Sequence, residues 1–342
     1  MARSLEIARN TRPHPNPRVG AVVVDANGVI VGEGNHIGPG NPHAEVVALR
    51  AAGAAALGAT IYVTLEPCSH FGRTPPCTEA IIASGVRRAI VAVEDPDERV
   101  AGSGIEALRK AGLDVEVGLM EQEARALDPG YFHHRRTGRP MVTLKAAATL
   151  DGQVAALDGS SQWITSEEAR EDAHWLRAAS DAVMVGAGTL RSDDPALDVR
   201  LGSYNGPQPV PVIVAGSQLL PPNAKVLARK PIVLSPHSIE GFDTIVVPKD
   251  GATDLRLGLE ALGERGIVDL LVEGGPKLAS ALLSAGLVDR MVLYLGAKLA
   301  GGVGRPLFDG NFLTLSQSHQ VRITRVTKVG ADVKLEARLE DV

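Results

Sequence analysis

In a chain of 342 residues, 35 Lys and Arg face 40 Asp and Glu, for a net charge of −5. That balance argues against a nucleic-acid scaffold or a membrane-surface protein, both of which usually show a basic face. At roughly 150 residues per domain, the length predicts two domains, each with its own core.

Five Phe, four Tyr and two Trp leave most of the core to Ala, Val, Leu and Ile, while 37 Gly and 22 Pro punctuate the chain with turns. The uncharged stretch 51–65 is broken by Gly53 and Gly58 and is too short to cross a bilayer. The N-terminal MARSLEIARN reads as a charged amphipathic helix with no apolar signal core, so a soluble, cytoplasmic protein is expected.

Residues 19–24 and 29–33 are apolar runs joined across Asp25-Ala26-Asn27-Gly28, where Asn-Gly supplies the positive φ of a hairpin turn. A helix is predicted to open at Asn41-Pro42, a cap-type residue followed by proline at the first helical position, with His43 and Glu45 on its first turn. A buried strand over 59–65, a short helix over 78–84 and a strand over 88–93 follow. A helix over 105–111 and a strand over 115–118 complete an alternation that implies a sheet between helices. The charged stretch 121–139 reads as a helix followed by the interdomain connection, with His133-His134-Arg135-Arg136 as solvated surface. Domains are therefore expected over 1–138 and 139–342.

Beyond Pro140, strand-like runs lie at 141–147, 182–186, 210–215, 232–235, 244–247, 268–272 and 290–295. Helical stretches sit among them, notably 166–179, 255–263 and 277–284. The tail alternates over 320–328 and 332–339 and turns at Val329-Gly330-Ala331, as an antiparallel hairpin does.

The chain has two cysteines, Cys68 and Cys77, which read either as small buried hydrophobes or as metal ligands. Context favours the metal. His43-Ala44-Glu45 lies on the predicted helix, and Glu66-Pro67-Cys68 follows a buried strand. His43, Cys68 and Cys77 are three ligands of suitable softness for zinc, and three protein ligands leave the open position that a catalytic zinc requires. Glu45, two residues after the histidine, is placed to reach a water on the metal without ligating it. Such a site lowers the pKa of water towards about 7, with the carboxylate moving protons. This is the H-x-E…P-C…C arrangement of zinc nucleobase deaminases. The alternative is a closed structural zinc with His36 or His70 as fourth ligand, which has no use for Glu45. A nucleic-acid editing deaminase shares the motif, but the acidic balance and the second domain argue against it.

Eight residues separate the cysteines, where the general pattern has two. The insert Ser69-His70-Phe71-Gly72-Arg73-Thr74-Pro75-Pro76 resembles the loop in the deaminase half of the bifunctional riboflavin-biosynthesis deaminase–reductases. So do His14-Pro15-Asn16-Pro17-Arg18-Val19-Gly20, Pro42-His43-Ala44-Glu45-Val46 and Val100-Ala101-Gly102-Ser103-Gly104. The resemblance implies a cytidine-deaminase-like αβα sandwich, with zinc on His43, Cys68 and Cys77 and Glu45 as proton shuttle. Asn16 is then a contact to the pyrimidine or its ribose, although a Pro-flanked Asn also reads as a plain turn residue.

The second half lacks a G-x-G-x-x-G but carries Val272-Glu273-Gly274-Gly275-Pro276, a strand running into a glycine turn and a helix, where a phosphate is easily held. Leu144-Lys145-Ala146-Ala147, Ser161-Gln162-Trp163-Ile164-Thr165 and Gly186-Ala187-Gly188-Thr189 through Leu197 resemble the reductase half of the same family. By that resemblance the domain is a dihydrofolate-reductase-like α/β fold, with segments 202–260 and 311–342 matching poorly. NADPH is expected along Ala147, Trp163, Thr189, Asp193 and Gly275. The substrate is expected at Ser161, Arg177, Leu197, Arg200 and Glu273, with Lys145 steadying a carbonyl or a phosphate. Trp163 reads equally as a core residue, and Asp193-Asp194 as caps of a turn before Pro195. The family further implies one zinc per chain, a small phosphoribosyl pyrimidine substrate, no nucleic-acid or membrane partner, and a homo-oligomer, dimer or tetramer.

Overall fold

The structure is a computed structural model, and it describes all residues except 73–74, 99, 217–218, 250–251, 303, 309–313 and 341–342. Arg73 and Thr74 of the resembling insert thus lie outside the described residues. The chain divides into two compact units, Met1–Gly138 and Arg139–Val342. No helix among the described residues is long and apolar enough to cross a membrane.

The N-terminal unit begins with α1 (Ala2–Arg9), β1 (Gly20–Val24), β2 (Ile30–Asn35), α2 (Ala44–Ala52) and β3 (Thr60–Val63). It continues with α3 (Cys77–Ala83), β4 (Arg88–Val91), α4 (Ser103–Lys110), β5 (Asp114–Val117), α5 (Glu121–Leu127) and α6 (Pro129–Thr137). The strands form one sheet in the order β2-β1-β3-β4-β5. Pairing is antiparallel on either side of β1 and parallel from β3 to β5.

Register shows why helices cover both faces. Ala21 pairs with Gly34 and Val23 with Gly32, so these four share one face. A Cβ at Gly34 would lie 2.3 Å from the Ala44 carbonyl oxygen, and one at Gly32 2.1 Å from that of Ala48. The two missing side chains are what let the α2 backbone lie directly on the sheet. Gly20 points to the other face, where a Cβ would meet the Ser4 carbonyl of α1 at 2.1 Å. The core between these layers is aliphatic, with Ile61, Ile81 and Leu108 fully buried.

Two expectations are corrected here. The α2 helix opens at Ala44 with His43 as its cap, two residues later than Asn41-Pro42 suggested. The Pro42 carbonyl instead faces His36 Nδ1 at 3.1 Å, and the Asn41 side chain donates to Gly38. The stretch read as a connection is α6, started by Pro129 at its first turn and ended by Gly138 at φ 74. Its His133-His134-Arg135-Arg136 run is not uniformly solvated: Tyr131 and His134 are buried, and the Arg135 guanidinium stacks 5.0 Å from the Tyr131 ring centroid.

The C-terminal unit opens with β6 (Met141–Thr149), β7 (Gln153–Ala155), α7 (Glu167–Ala178), β8 (Ala182–Gly186), α8 (Ala187–Asp193), β9 (Val210–Val214), β10 (Ile232–Ser235) and β11 (Asp243–Val246). A two-residue ladder of β12 (Pro248–Lys249) and β13 (Ala252–Thr253) precedes α9 (Leu255–Glu264), β14 (Asp269–Val272), α10 (Pro276–Ser284) and β15 (Arg290–Gly296). Then come β16 (Arg305–Pro306), which pairs with β7, and the terminal hairpin of β17 (Val321–Val329) and β18 (Asp332–Leu339).

The main sheet runs β11-β10-β9-β8-β14-β6-β15-β18-β17. It is parallel from β11 through β15 and antiparallel in its last two strands. Ser166 caps α7 by accepting the Ala169 N–H, acidic residues fill the first turn, and Arg177 closes the last, all favourable to the helix dipole. Ala169 and Ala173 of α7 pack on Val292 and Tyr294 of β15, whereas α9 and α10 pack on the cluster containing Leu144 and Val272. The α8 helix had no counterpart in the sequence reading. Gly188 within its seven residues and Gly186 at its N-cap mask it.

Candidate active sites

In the N-terminal unit, α2 and the β3–α3 connection deliver their polar groups to one cavity of about 350 Å³. His43 Nδ1 lies 3.1 Å from Cys77 Sγ and 3.6 Å from Cys68 Sγ, and the Cys77 N–H donates to Cys68 Sγ at 3.3 Å. The three candidate ligand atoms lie within 4.8 Å of one another. The Cys68 thiol is held low, near 4, by its hydrogen bonds from Cys77 and His43, and Cys77 is pushed up by the same contact. Two sulfurs this close hold one proton between them unless a cation replaces it. Soft, convergent and partly deprotonated, the set fits zinc.

The alternative fourth ligand is set aside by geometry. Both ring nitrogens of His36 are engaged: Nδ1 donates to the Pro42 carbonyl, which leaves Nε2 to accept from Asn16 Nδ2 at 2.9 Å. His70 is exposed on the cavity rim, and among the described residues no fourth His, Cys, Asp or Glu joins the cluster. Glu45 is 3% exposed. Burial, with the Cys68 charge adding to it, pushes its carboxyl up to about 7.

Behind the ligands, the Glu66 carboxylate accepts four backbone N–H groups, from Asp95, Gly102, Gly104 and Ile105, at 2.8 to 3.2 Å. It thereby fixes the strand end that carries Cys68. A Cβ at Gly104 would lie 1.9 Å from the Pro67 carbonyl, so only glycine lets α4 approach this turn. The opposite wall holds Asp95, Asp97, Tyr131 and Arg135, which sequence reasoning missed. Tyr131 donates to Asp95, whose carboxyl is raised by burial to about 6. The one available signal was the i, i+4 spacing of Tyr131 and Arg135, which puts both on one face of a helix.

In the C-terminal unit, register sets the second cluster. Val272 pairs with Leu144, which puts Glu273 beside Lys145 just past the end of β14. Arg177 of α7 grips Glu273 with two parallel bonds, Nε to Oε1 at 2.7 Å and Nη2 to Oε2 at 2.9 Å, and donates from Nη1 to the Asp198 carbonyl at 2.8 Å. Lys145 Nζ stands 3.9 Å from Glu273 and 6.0 Å from the Tyr294 ring centroid. Burial alone would raise Glu273, but Arg177 and Lys145 outweigh it and hold the carboxyl at about 2.

The remaining expected residues fall into two groups. Ala147 shares the Lys145 face of β6, opposite Tyr294. Thr189 Oγ1 accepts the Gly275 N–H at 3.0 Å, joining α8 to the start of α10, where no side chain caps the helix. Leu197 is buried at φ 55, and Arg200 is 60% exposed with Nη1 on Asp198 at 2.7 Å. By contrast, no hydrogen bond or ion pair among the described residues ties the side chains of Ser161, Trp163 or Asp193 to the Lys145 cluster. Trp163 is not core: it is 59% exposed, with Arg170 4.3 Å from its ring centroid. Asp193 ends α8, and Asp194 accepts from the Lys225 N–H. The first turn of α8 at Gly188, where a Cβ would meet nothing outside its own helix, and the uncapped α10 N-terminus suit a phosphate-bearing dinucleotide.

Comparison with known proteins follows the same division. Residues 1–93 match the model for the cytidine and deoxycytidylate deaminase zinc-binding region, and residues 140–335 match that for the RibD C-terminal domain. The second match spans 202–260 and reaches into the tail as far as residue 335. Riboflavin biosynthesis protein RibD of Aquifex aeolicus is 44% identical, covering 97% of this chain and 95% of that protein. The Escherichia coli protein of that name is 42% identical, over 98% and 97%. Among solved structures, Acinetobacter baumannii RibD superposes with a TM-score of 0.93 at 38% identity, covering 99% of this chain and 97% of that one. The Thermotoga maritima diaminohydroxyphosphoribosylaminopyrimidine deaminase/5-amino-6-(5-phosphoribosylamino)uracil reductase gives 0.89 at 34%, with the same coverage.

Proposed function

The chain belongs to the RibD family, and from that membership we propose which of its residues carry the two reactions. It is a bifunctional enzyme of riboflavin biosynthesis. It hydrolytically deaminates 2,5-diamino-6-(5-phosphoribosylamino)pyrimidin-4(3H)-one and then reduces the ribosyl side chain to give 5-amino-6-(5-phosphoribitylamino)uracil. The cofactors are zinc and NADPH. We assign deamination to residues 1–138 and reduction to 139–342, in a cytoplasmic homo-oligomer, dimer or tetramer.

His43, Cys68 and Cys77 would hold the zinc, which supplies a Lewis acid that makes water a nucleophile near neutral pH. Glu45 takes one proton from the attacking water and delivers it to the ring nitrogen, then takes the proton of the new hydroxyl and passes it to the amino group, which departs as ammonia and leaves the carbonyl. Its buried carboxyl, near 7, changes protonation state readily at neutral pH. Because the Asn16 amide nitrogen is spent on His36, its oxygen is left to accept from the pyrimidine or ribose. The observation that carries this reading is the convergence of His43, Cys68 and Cys77 beside a buried Glu45 that ligates nothing.

In the second site NADPH supplies the hydride, and the protein supplies position and charge. Thr189, Gly275, Ala147, Trp163 and Asp193 line its path in this reading. Ser161, Leu197 and Arg200 bind the substrate. Arg177 acts through Glu273, which it holds ionised, and Glu273 in turn orients the Lys145 ammonium towards the substrate carbonyl or phosphate. Arg200 is the exposed guanidinium suited to a bidentate phosphate contact.

The test is to incubate the diamino substrate with and without NADPH and identify the products by mass. The deaminated, unreduced compound is expected without NADPH and the ribityl compound with it. Unchanged substrate in both would overturn the assignment.

A further inference from the structure

Leu197 occupies a left-handed conformation, φ 55, that a branched side chain rarely adopts, and it is buried in the cluster with Leu190 and Val226. A backbone held this way persists where its surroundings over-determine it. Here four consecutive residues have their carbonyls fastened from outside. Arg229 Nη1 donates to Ala196 O at 3.1 Å and to Leu197 O at 2.6 Å, and its Nη2 to Pro209 O at 2.6 Å. Arg177 takes the Asp198 carbonyl at 2.8 Å, while the Gln208 side chain donates to Val199 O at 3.2 Å and accepts the Val199 N–H at 2.7 Å. Arg229 is itself anchored, since it ends a turn of 3-10 helix (Lys225–Arg229) whose Val226 is fully buried.

We infer that Arg229 is a positioning residue for the reductase substrate, because its fork locks the carbonyls of Ala196 and Leu197 and so presents Leu197 and Arg200 in one fixed geometry. The inference rests on the reading that Leu197 and Arg200 contact the substrate. A fork is needed because the three carbonyls are reached by two separate nitrogens in one plane, which a single ammonium cannot reproduce. Arg229 lies more than thirty positions along the chain from the segment it holds, inside 202–260, and reaches neither cofactor residue Thr189 nor Gly275. Its loss therefore separates substrate affinity from cofactor affinity.

The experiment compares Arg229→Met, Arg229→Lys and Arg200→Met in the full chain by steady-state kinetics on the deaminated intermediate, with thermal melting as the folding control. Arg229→Met is expected to raise KM for the intermediate about tenfold. Its kcat, KM for NADPH and deamination rate stay within about twofold, and Arg229→Lys recovers part of the loss. Where Arg229→Met does not fold, Arg229→Lys decides, by raising KM for the intermediate alone or not at all. If Arg200→Met raises KM but neither Arg229 variant does, the positioning role is overturned. If KM for both ligands rises and kcat falls together, Arg229 is merely structural and the positioning role is overturned. An unchanged KM in Arg200→Met overturns the underlying reading of the loop itself, and the inference with it.

Discussion

Glu45 and Glu273 are two buried glutamates in one chain, one raised to about 7 and the other lowered to about 2. Both lose water on burial. Glu45 has thiols and an imidazole around it, so desolvation decides. Glu273 sits between Arg177 at 2.7 Å and Lys145 at 3.9 Å, so charge decides. The first is suited to exchanging protons and the second to remaining an anion that orients cations. The contrast extends to how each site is assembled. Asn16, His36, His43, Glu45, Cys68 and Cys77 come from one short stretch of chain, whereas Arg177 and Glu273 are 96 positions apart.

The largest way to break the comparison is to remove a ligand from the first site. Cys77→Ala should lose zinc on metal analysis and lose deamination by more than the roughly 10²–10⁴-fold that a missing proton shuttle costs. Reduction of the deaminated intermediate should continue. Zinc retained at the wild-type level would remove Cys77 from the ligand set.

Breaking the second site's charge balance should cost stability instead. Glu273→Gln leaves the Arg177 and Lys145 cations without their counter-ion and should destabilise the full chain by about 3–5 kcal/mol at pH 7, read by urea unfolding. Glu45→Gln, which breaks no ion pair, should stay within about 1 kcal/mol. The pH dependence has a definite sign. The folded pKa of Glu273 lies below its ordinary 4.5, so its contribution is full above 4.5 and is lost as pH falls from there towards 2. The gap between Glu273→Gln and wild type should narrow over that window, and a gap that widens would contradict the charge argument.

The smallest expected effect sharpens the cofactor side. Thr189→Val removes the acceptor for the Gly275 N–H, a bond worth about 1 kcal/mol, and should raise KM for NADPH up to tenfold with little change in KM for the intermediate. Equal shifts in both constants would mean that this bond serves the whole unit rather than the cofactor turn.

This difference in assembly also explains what was legible before the structure. The cluster of His43, Cys68 and Cys77 beside Glu45 could be read because thiol, imidazole and carboxylate are each required by residue type and lie in two short local motifs, even though the cysteines are more widely spaced than in the general pattern. The alternating strands of both units and the tail hairpin were legible for a similar reason, since period and turn residues are local. The start of α2 was not, because Asn41-Pro42 carries the composition of a cap while His36, six residues back, takes the Pro42 carbonyl. The α6 helix was hidden by its charge: Arg135 is covered by stacking on Tyr131, a contact that composition does not reveal. In the second unit, the Arg177–Glu273 fork and the hold of Arg229 on the 196–197 carbonyls depend on sheet order and crossings. Neither leaves a local trace.

Separability of the two sites is tested most directly by supplying the Glu45→Gln enzyme with NADPH and, in parallel, the diamino substrate or the deaminated intermediate, while following NADPH oxidation. The account predicts almost no oxidation with the diamino substrate and a wild-type rate with the intermediate. Oxidation at the wild-type rate from the diamino substrate would contradict Glu45 as the proton shuttle, and failure with the intermediate as well would contradict the independence of the second site.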